Sequence, residues 1–328
     1  MNYEEFKKRV VDEILNYLPD NYQDYQVELN EVKKTNRTLD GMQIFPPGGV
    51  AGKGLSPCYY IQDMYDRYKE NGDFYKTVRE VADHYRNTDQ QVETMSVDLS
   101  SETVKENVIF CLINAEQNKE MLSAMPHRML EDLAIVYRYV VSHEPDSIAS
   151  TFIKNELMKH CGLTEPELYK LAYENTKRLF PVKVVSIQDE LKQMLAGTPE
   201  QELLDCAFGE EMEGPQQYII SNEAKINGAA AVLYIDEMKK LADKLRDDLY
   251  IMPSSIHEMI AVSATEMNPD ELSKMVTEIN QSSVPLEDRL SNQVYHFDRT
   301  ALTFTKASHA IETKLGAPSE FTYNEIRR

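Results

Sequence analysis

Apolar residues recur along this chain in two alternating rhythms, and that alternation restricts the fold more than any other feature. Tyr3, Phe6, Val10, Ile14 and Tyr17 fall three or four residues apart, the spacing of one helix face, and Pro19 stops the run. Tyr25–Val32, Thr38–Phe45 and a stretch around Cys58–Ile61 then read as extended strands. Helical spacing returns in Asp63–Tyr68 and Asp73–Tyr85, where Phe74, Val78, Val81 and Tyr85 share a face. An α-β-β-β-α unit is therefore expected over residues 1–100, closed by the polar stretch Arg86–Ser101 as a domain boundary.

The same alternation continues beyond it. Strands are expected at Val108–Ile113, Leu133–Val141, Ile148–Ile153 and Val182–Val185. Further strands are expected at Gln217–Ser221, Ala229–Tyr234, Leu249–Met252 and Val294–Phe297. Between them lie a short helix at Asn118–Leu122 and a capping-box start at Thr164-Glu-Pro-Glu167. Helices are also expected with Ile187, Leu191 and Met194 inward, and with Ile235, Met238, Leu241 and Leu245 inward. Asn268-Pro-Asp-Glu271 opens one more, with an N-cap, a proline at the first position and acids in the first turn. This predicts a larger α/β unit over 101–300, interrupted by an acidic surface loop at 196–216, and a polar tail over 301–328. The fold class is α+β, with mixed β-sheets and packed helices. At 328 residues the chain is long enough for two such units, each with its own core and no need of disulfides or metals.

With 42% hydrophobic and 27% charged residues, the composition is that of a globular protein and argues against global disorder. The formal net charge is −20 and the pI about 4.8. Such a field repels phosphate backbones and anionic bilayers, so neither nucleic acid nor membrane is expected as a partner. Carboxylates could instead imitate a row of phosphates, but Lys and Arg are interspersed along most of the chain. The N-terminus has no apolar core of a secretory signal, and the longest apolar run, Ala229–Ile235, is too short to span a bilayer. Cys58, Cys111, Cys161 and Cys206 stand in four separate segments without C-x-x-C spacing, so no disulfide, zinc or other cofactor is expected. The expected location is the cytoplasm.

Few residues suggest chemistry. The loop Gly48-Gly-Val-Ala-Gly-Lys-Gly54 resembles a phosphate loop but fails on spacing, and Lys53 is followed by Gly54 where a magnesium-binding hydroxyl would stand. It is expected to be an exposed connection that binds no nucleotide. Pro253-Ser-Ser-Ile-His-Glu258 follows a strand and offers Ser254 or Ser255 as nucleophile, with His257 and Glu258 as base and partner. Triads usually draw their members from distant segments, whereas Ser255 and Glu258 have capping-box spacing and Pro253-Ser254 suits a turn. No G-x-S-x-G elbow and no H-E-x-x-H zinc helix is present. His127 and Arg128 could hold an anion; Glu131 and Asp132 beside them favour a local ion pair. His143, His160 and His296 are isolated in sequence, and the tyrosines between Tyr59 and Tyr85 have core spacing.

Six segments together resemble a known family: Tyr3-Glu-Glu-Phe-Lys7, Leu39-Asp-Gly-Met42, Pro126-His-Arg-Met-Leu-Glu-Asp-Leu-Ala-Ile-Val-Tyr137, Asn227-Gly-Ala-Ala-Ala-Val-Leu-Tyr234, Leu249-Tyr-Ile-Met-Pro-Ser-Ser-Ile-His-Glu258 and Leu290-Ser-Asn-Gln-Val-Tyr-His-Phe-Asp-Arg299. The set resembles the bacterial family called domain of unknown function 5688 over most of residues 1–300. Asn155–Asn175 is similar to part of a second family, domain of unknown function 1444. The resemblance implies a bacterial cytoplasmic protein and carries no activity, cofactor or catalytic residue. The residues therefore point first to a non-catalytic protein that binds or interacts, with a protein partner compatible with its surface. A hydrolase centred on Ser254–Glu258 and an acidic nucleic-acid mimic are the alternatives.

Overall fold

The computed structural model describes residues 1–47, 57–92, 98–144, 147–198 and 216–308. The glycine loop Gly48–Gly54, Cys206 and most of the acidic stretch lie outside the described residues. The chain forms two compact units, Met1–Asp98 and Leu99–Arg328.

In the first unit, helix α1 (Tyr3–Glu13) starts at a reciprocal cap. Asn2 Oδ1 accepts from the Glu5 amide at 2.9 Å, and Glu5 Oε2 accepts from the Asn2 amide at 3.1 Å. Strands β1 (Gln26–Lys34) and β2 (Arg37–Phe45) form an antiparallel hairpin whose turn places Asn36 at φ 60°. Strand β3 (Cys58–Tyr60) adds to β2. Helix α2 (Ile61–Asn71) ends at Gly72, φ 70°, whose amide donates to Tyr68 O. Helix α3 (Phe74–Val92) follows. Phe6, Val10, Ile14, Met42, Ile44, Ile61, Val78 and Tyr85 form one core on the face common to sheet and helices. The buried Tyr85 hydroxyl donates to Ile44 O at 3.1 Å. Helix α3 runs past Arg86 into the stretch expected to be a polar boundary. Arg86–Val92 contains neither Gly nor Pro, so nothing local breaks the helix there.

The second unit holds two sheets and seven described helices. In one sheet β6 (Leu133–Glu144) is central. It pairs with β4 (Val108–Asn114) on one edge, and with β5 (His127–Leu130) and then β7 (Ser147–Phe152) on the other. The other sheet has six strands: β8 (Val182–Ser186), β9 (Tyr218–Asn222), β10 (Leu249–Ser255), β11 (Glu258–Ser263), β12 (Tyr295–Asp298) and β13 (Thr303–Lys306). Their order is β13-β12-β10-β11-β9-β8. Every neighbouring pair is antiparallel, so the arrangement is α+β. The helices are α4 (Ser101–Asn107), α5 (Lys119–Leu122), α6 (Asn155–His160), α7 (Glu165–Leu179), α8 (Ile187–Leu195), α9 (Ile235–Leu245) and α10 (Pro269–Ser282). Thr164 and Glu167 cap α7, and Asn268 caps α10. Helix α7 lies on β4, where Thr176 Oγ1 accepts from the Phe110 amide at 3.0 Å. Among the described residues no helix is long and apolar enough to cross a membrane.

Further expectations need correction. Met194, expected to face inward, is 67% exposed on α8. Gly228–Leu233 is a buried 3₁₀ segment and not a strand. A short apolar run cannot distinguish the two, and these small side chains let the backbone pack closely. Strand β10 continues through Pro253, with an irregularity in pairing before Ser255, so the turn falls at Ile256–His257. Pairing with β12 stops at Ile251, which leaves that side of Pro253 without a strand needing its missing amide. The start of the expected tail is strand β13, with Phe304 only 2% exposed. Strands β5, β11 and β13 have no counterpart in the sequence reading; each is six residues or shorter.

Candidate functional site

Ser254–Glu258 forms the tip of the β10–β11 hairpin, and its serine hydroxyls bond locally. Ser254 Oγ donates to Glu258 Oε1 at 3.0 Å, while Ser255 Oγ accepts from the His257 amide at 3.0 Å. The His257 ring turns away from both serines. Its Nδ1 accepts from the Asn227 amide at 3.1 Å, and Nε2 faces Asp288 Oδ1 at 3.4 Å. Accepting at Nδ1 leaves the ring proton of neutral His257 on Nε2, pointing at Asp288. Neither nitrogen is directed at a serine hydroxyl, so the geometry of a serine–histidine pair is not assembled. The hairpin tip is latched to β9, to the 3₁₀ segment and to the loop between them. Ser221 Oγ donates to His257 O at 2.8 Å, and the Ala229 amide donates to Ile256 O at 3.2 Å. Lys225 and Asn227 adopt left-handed φ of 54° and 52° in that loop.

Beside the latch, Lys183 and Lys225 each reach Glu190 at 2.7 Å. Their hydrogen bonds, Lys183 first, hold the Glu190 carboxyl below its usual range. The cavity there, bordered by Glu190, Ser221, Asn222 and Glu258, measures only 20 Å³. That is room for about one water and no substrate.

The second candidate pair is also structural in geometry. His127 Nδ1 lies 2.9 Å from Met125 O. Arg128 Nε donates to Glu165 Oε1 at 2.6 Å, and its guanidinium stacks 4.1 Å from the Tyr169 ring centre. Asp132 is not the partner of Arg128. It accepts from Ser291 Oγ at 2.6 Å and Tyr295 OH at 2.9 Å, joining the two sheets of the second unit. Burial, then the Asp132 charge, raise the Tyr295 phenol well above its ordinary pKa. His296, isolated in sequence, is buried with Nε2 at 3.1 Å from Asp248 Oδ2. Nothing local in the sequence marks the Asp132 or Asp248 contacts. Among the described residues, no group of three or more His, Cys, Asp or Glu is placed to hold a metal. Cys58, Cys111 and Cys161 are free thiols, and burial pushes Cys111 up to about 11.

A groove of ligand size lies in the first unit. It measures 310 Å³, near the lower end of small-molecule sites. Helical periodicity builds its walls. Asp63, Met64 and Arg67 form one stripe along α2, and Glu80, Val81 and His84 form the facing stripe of α3. Strand β3 contributes Cys58, Tyr59 and Tyr60. The Tyr59 hydroxyl is 2.8 Å from His84 Nδ1, and Lys34 Nζ stands 5.2 Å from the Tyr60 ring centre. Asp63, Arg67, Glu80 and His84 are exposed around the rim. Sequence reasoning assigned these tyrosines to core and half-buried surface. The stripes on α2 and α3 were the available signal, but only the turn at Gly72 brings them face to face.

Fold and sites together define an α+β protein of antiparallel sheets. Among the described residues is a ligand-sized groove, while Ser254 and Ser255 are not paired with the His257 ring. The chain belongs to the family of unknown function DUF5688, whose model matches residues 3–299. No curated protein and no solved structure matches the chain. The six segments that carry the family resemblance meet in three pairs. Tyr3 and Lys7 bond Asp40 at 2.6 and 3.1 Å. Asp132 bonds Ser291 and Tyr295. Asn227 bonds His257. In each pair, a polar contact ties distant parts of one unit together.

Proposed function

We propose that this protein is a non-catalytic binding protein of the bacterial cytoplasm whose ligand sits in the groove between β3, α2 and α3. The observation that carries the reading is the contrast between the two cavities. The groove has 310 Å³ of space, while the cavity beside the serine–histidine segment has 20 Å³. Free thiols at Cys58, Cys111 and Cys161 support a reducing compartment. The test is equilibrium dialysis of the full chain against a bacterial metabolite extract, read by mass spectrometry. At least one small molecule is expected to be enriched. Glu80→Trp, which fills the groove from an exposed position, is expected to abolish enrichment, with Glu80→Gln as the control for charge alone. Retention of nothing by the wild type, or equal retention by Glu80→Trp, overturns the reading.

The hydrolase alternative rests on Ser254, whose hydroxyl is held by Glu258. Fluorophosphonate labelling of Ser254 or Ser255 that disappears in His257→Ala would establish it in place of the binding reading. No labelling is expected.

A further inference from the structure

The groove's rim carries both signs of charge, and most of that charge is unpaired. Asp63 and Arg67 stand four residues apart on one face of α2, the separation at which a helical ion pair ordinarily closes. The side chains of Asp63, Arg67 and Glu80 make no hydrogen bond or ion pair with any described residue. One cation, Arg67, and two carboxylates, Asp63 and Glu80, therefore line one cavity whose remaining lining is largely apolar, with Tyr59, Tyr60, Met64 and Val81. A simple anion would meet Asp63 and Glu80 in a chain of net charge −20. A simple cation would meet Arg67. A ligand with one charge of each sign satisfies both ends, and an apolar group between them covers the tyrosine rings.

Resting on the groove as the binding site, we infer that its ligand is a zwitterionic α-amino acid with a large apolar side chain. Arg67 takes the carboxylate, a role suited to its planar fork of donors. Asp63 or Glu80 takes the ammonium, and the side chain lies on Tyr59, Tyr60 and Val81.

The test is calorimetric titration of the full chain with L-phenylalanine and L-leucine. The comparison ligands are N-acetyl-L-phenylalanine, which lacks the ammonium, L-phenylalaninamide, which lacks the carboxylate, and glycine, which lacks the side chain. Saturable binding is expected for phenylalanine or leucine, with at least a tenfold loss for each comparison ligand. Arg67→Gln is expected to weaken phenylalanine at least tenfold while leaving the affinity for phenylalaninamide unchanged. Arg67 is exposed, so the fold should survive, and circular dichroism checks it. No saturable binding of either amino acid overturns the inference, as does equal affinity for the amide or the acetylated form. If neither amino acid binds while Glu80→Trp still loses a dialysed compound, the ligand class falls and the groove stands. If Glu80→Trp keeps that compound, the groove itself falls.

Discussion

At Gly228 a single added carbon would meet atoms that cannot yield. An ideal Cβ there would lie 2.2 Å from Ser221 Oγ, 2.5 Å from His257 O and 2.9 Å from the Asn222 amide nitrogen. Two of these are backbone atoms, and Ser221 Oγ is already bonded to His257 O. Gly228→Ala should therefore cost about 3 kcal/mol, the upper end for overpacking, read from the urea midpoint. A loss within about 0.5 kcal/mol, the range of an ordinary surface change, would contradict the close approach. Ser255 acts more gently in the same latch, accepting the His257 amide within a turn. Ser255→Ala should cost about 1 kcal/mol, as other lost local caps do, and leave groove binding unchanged. The serines and His257 stand out in sequence because their residue types suit catalysis. The serines bond within the segment, but what the His257 ring faces is decided by Asn227 and Asp288, and no spacing rule reveals those partners.

Helix α8 is held against β8 and the loop after β9 by one carboxylate. Lys183 and Lys225 both donate to Glu190, which is 8% exposed. The native carboxyl therefore titrates below the ordinary value of 4.5, so its contribution is fully present above that value and is lost as pH falls through the lowered native one. Glu190→Gln should lower stability by about 1 kcal/mol at neutral pH, the upper range for partly exposed pairs. It should also flatten the decline below pH 4.5, seen as a smaller difference in Tm between pH 7 and acid than in the wild type. An unchanged acid limb would show that the pairs contribute nothing. Helix starts at this scale were legible, because caps such as Thr164–Glu167 and Asn268 act within a few residues. The Gly228–Leu233 run was not, because burial makes strand and tight helix equally apolar.

Among the described residues, the first unit has a core drawn from its own segments. Every residue of the first unit's main cluster lies between Tyr3 and Tyr85. Calorimetry of the full chain should show more than one transition, or a calorimetric enthalpy above the van't Hoff value. Ile61 is fully buried in the first core, and Ile61→Ala should destabilise that unit by about 3 kcal/mol. Its transition should move while the other stays in place. A single transition that shifts as a whole would mean the two units unfold together.

The sequence by itself determined the α+β class, most helix starts and the long buried strands, along with the failure of every familiar catalytic spacing. These depend on side-chain period and on interactions a few residues long. Tertiary structure alone decided that Asp132 meets Ser291 and Tyr295, 159 and 163 residues away, and that His257 faces Asp288 instead of a serine. It also set the stripes of α2 and α3 facing each other across a groove. Such contacts depend on how sheets and helices bury their apolar faces together. Closing a long loop costs little more than closing a moderate one, so distance along the chain does not predict which ends meet.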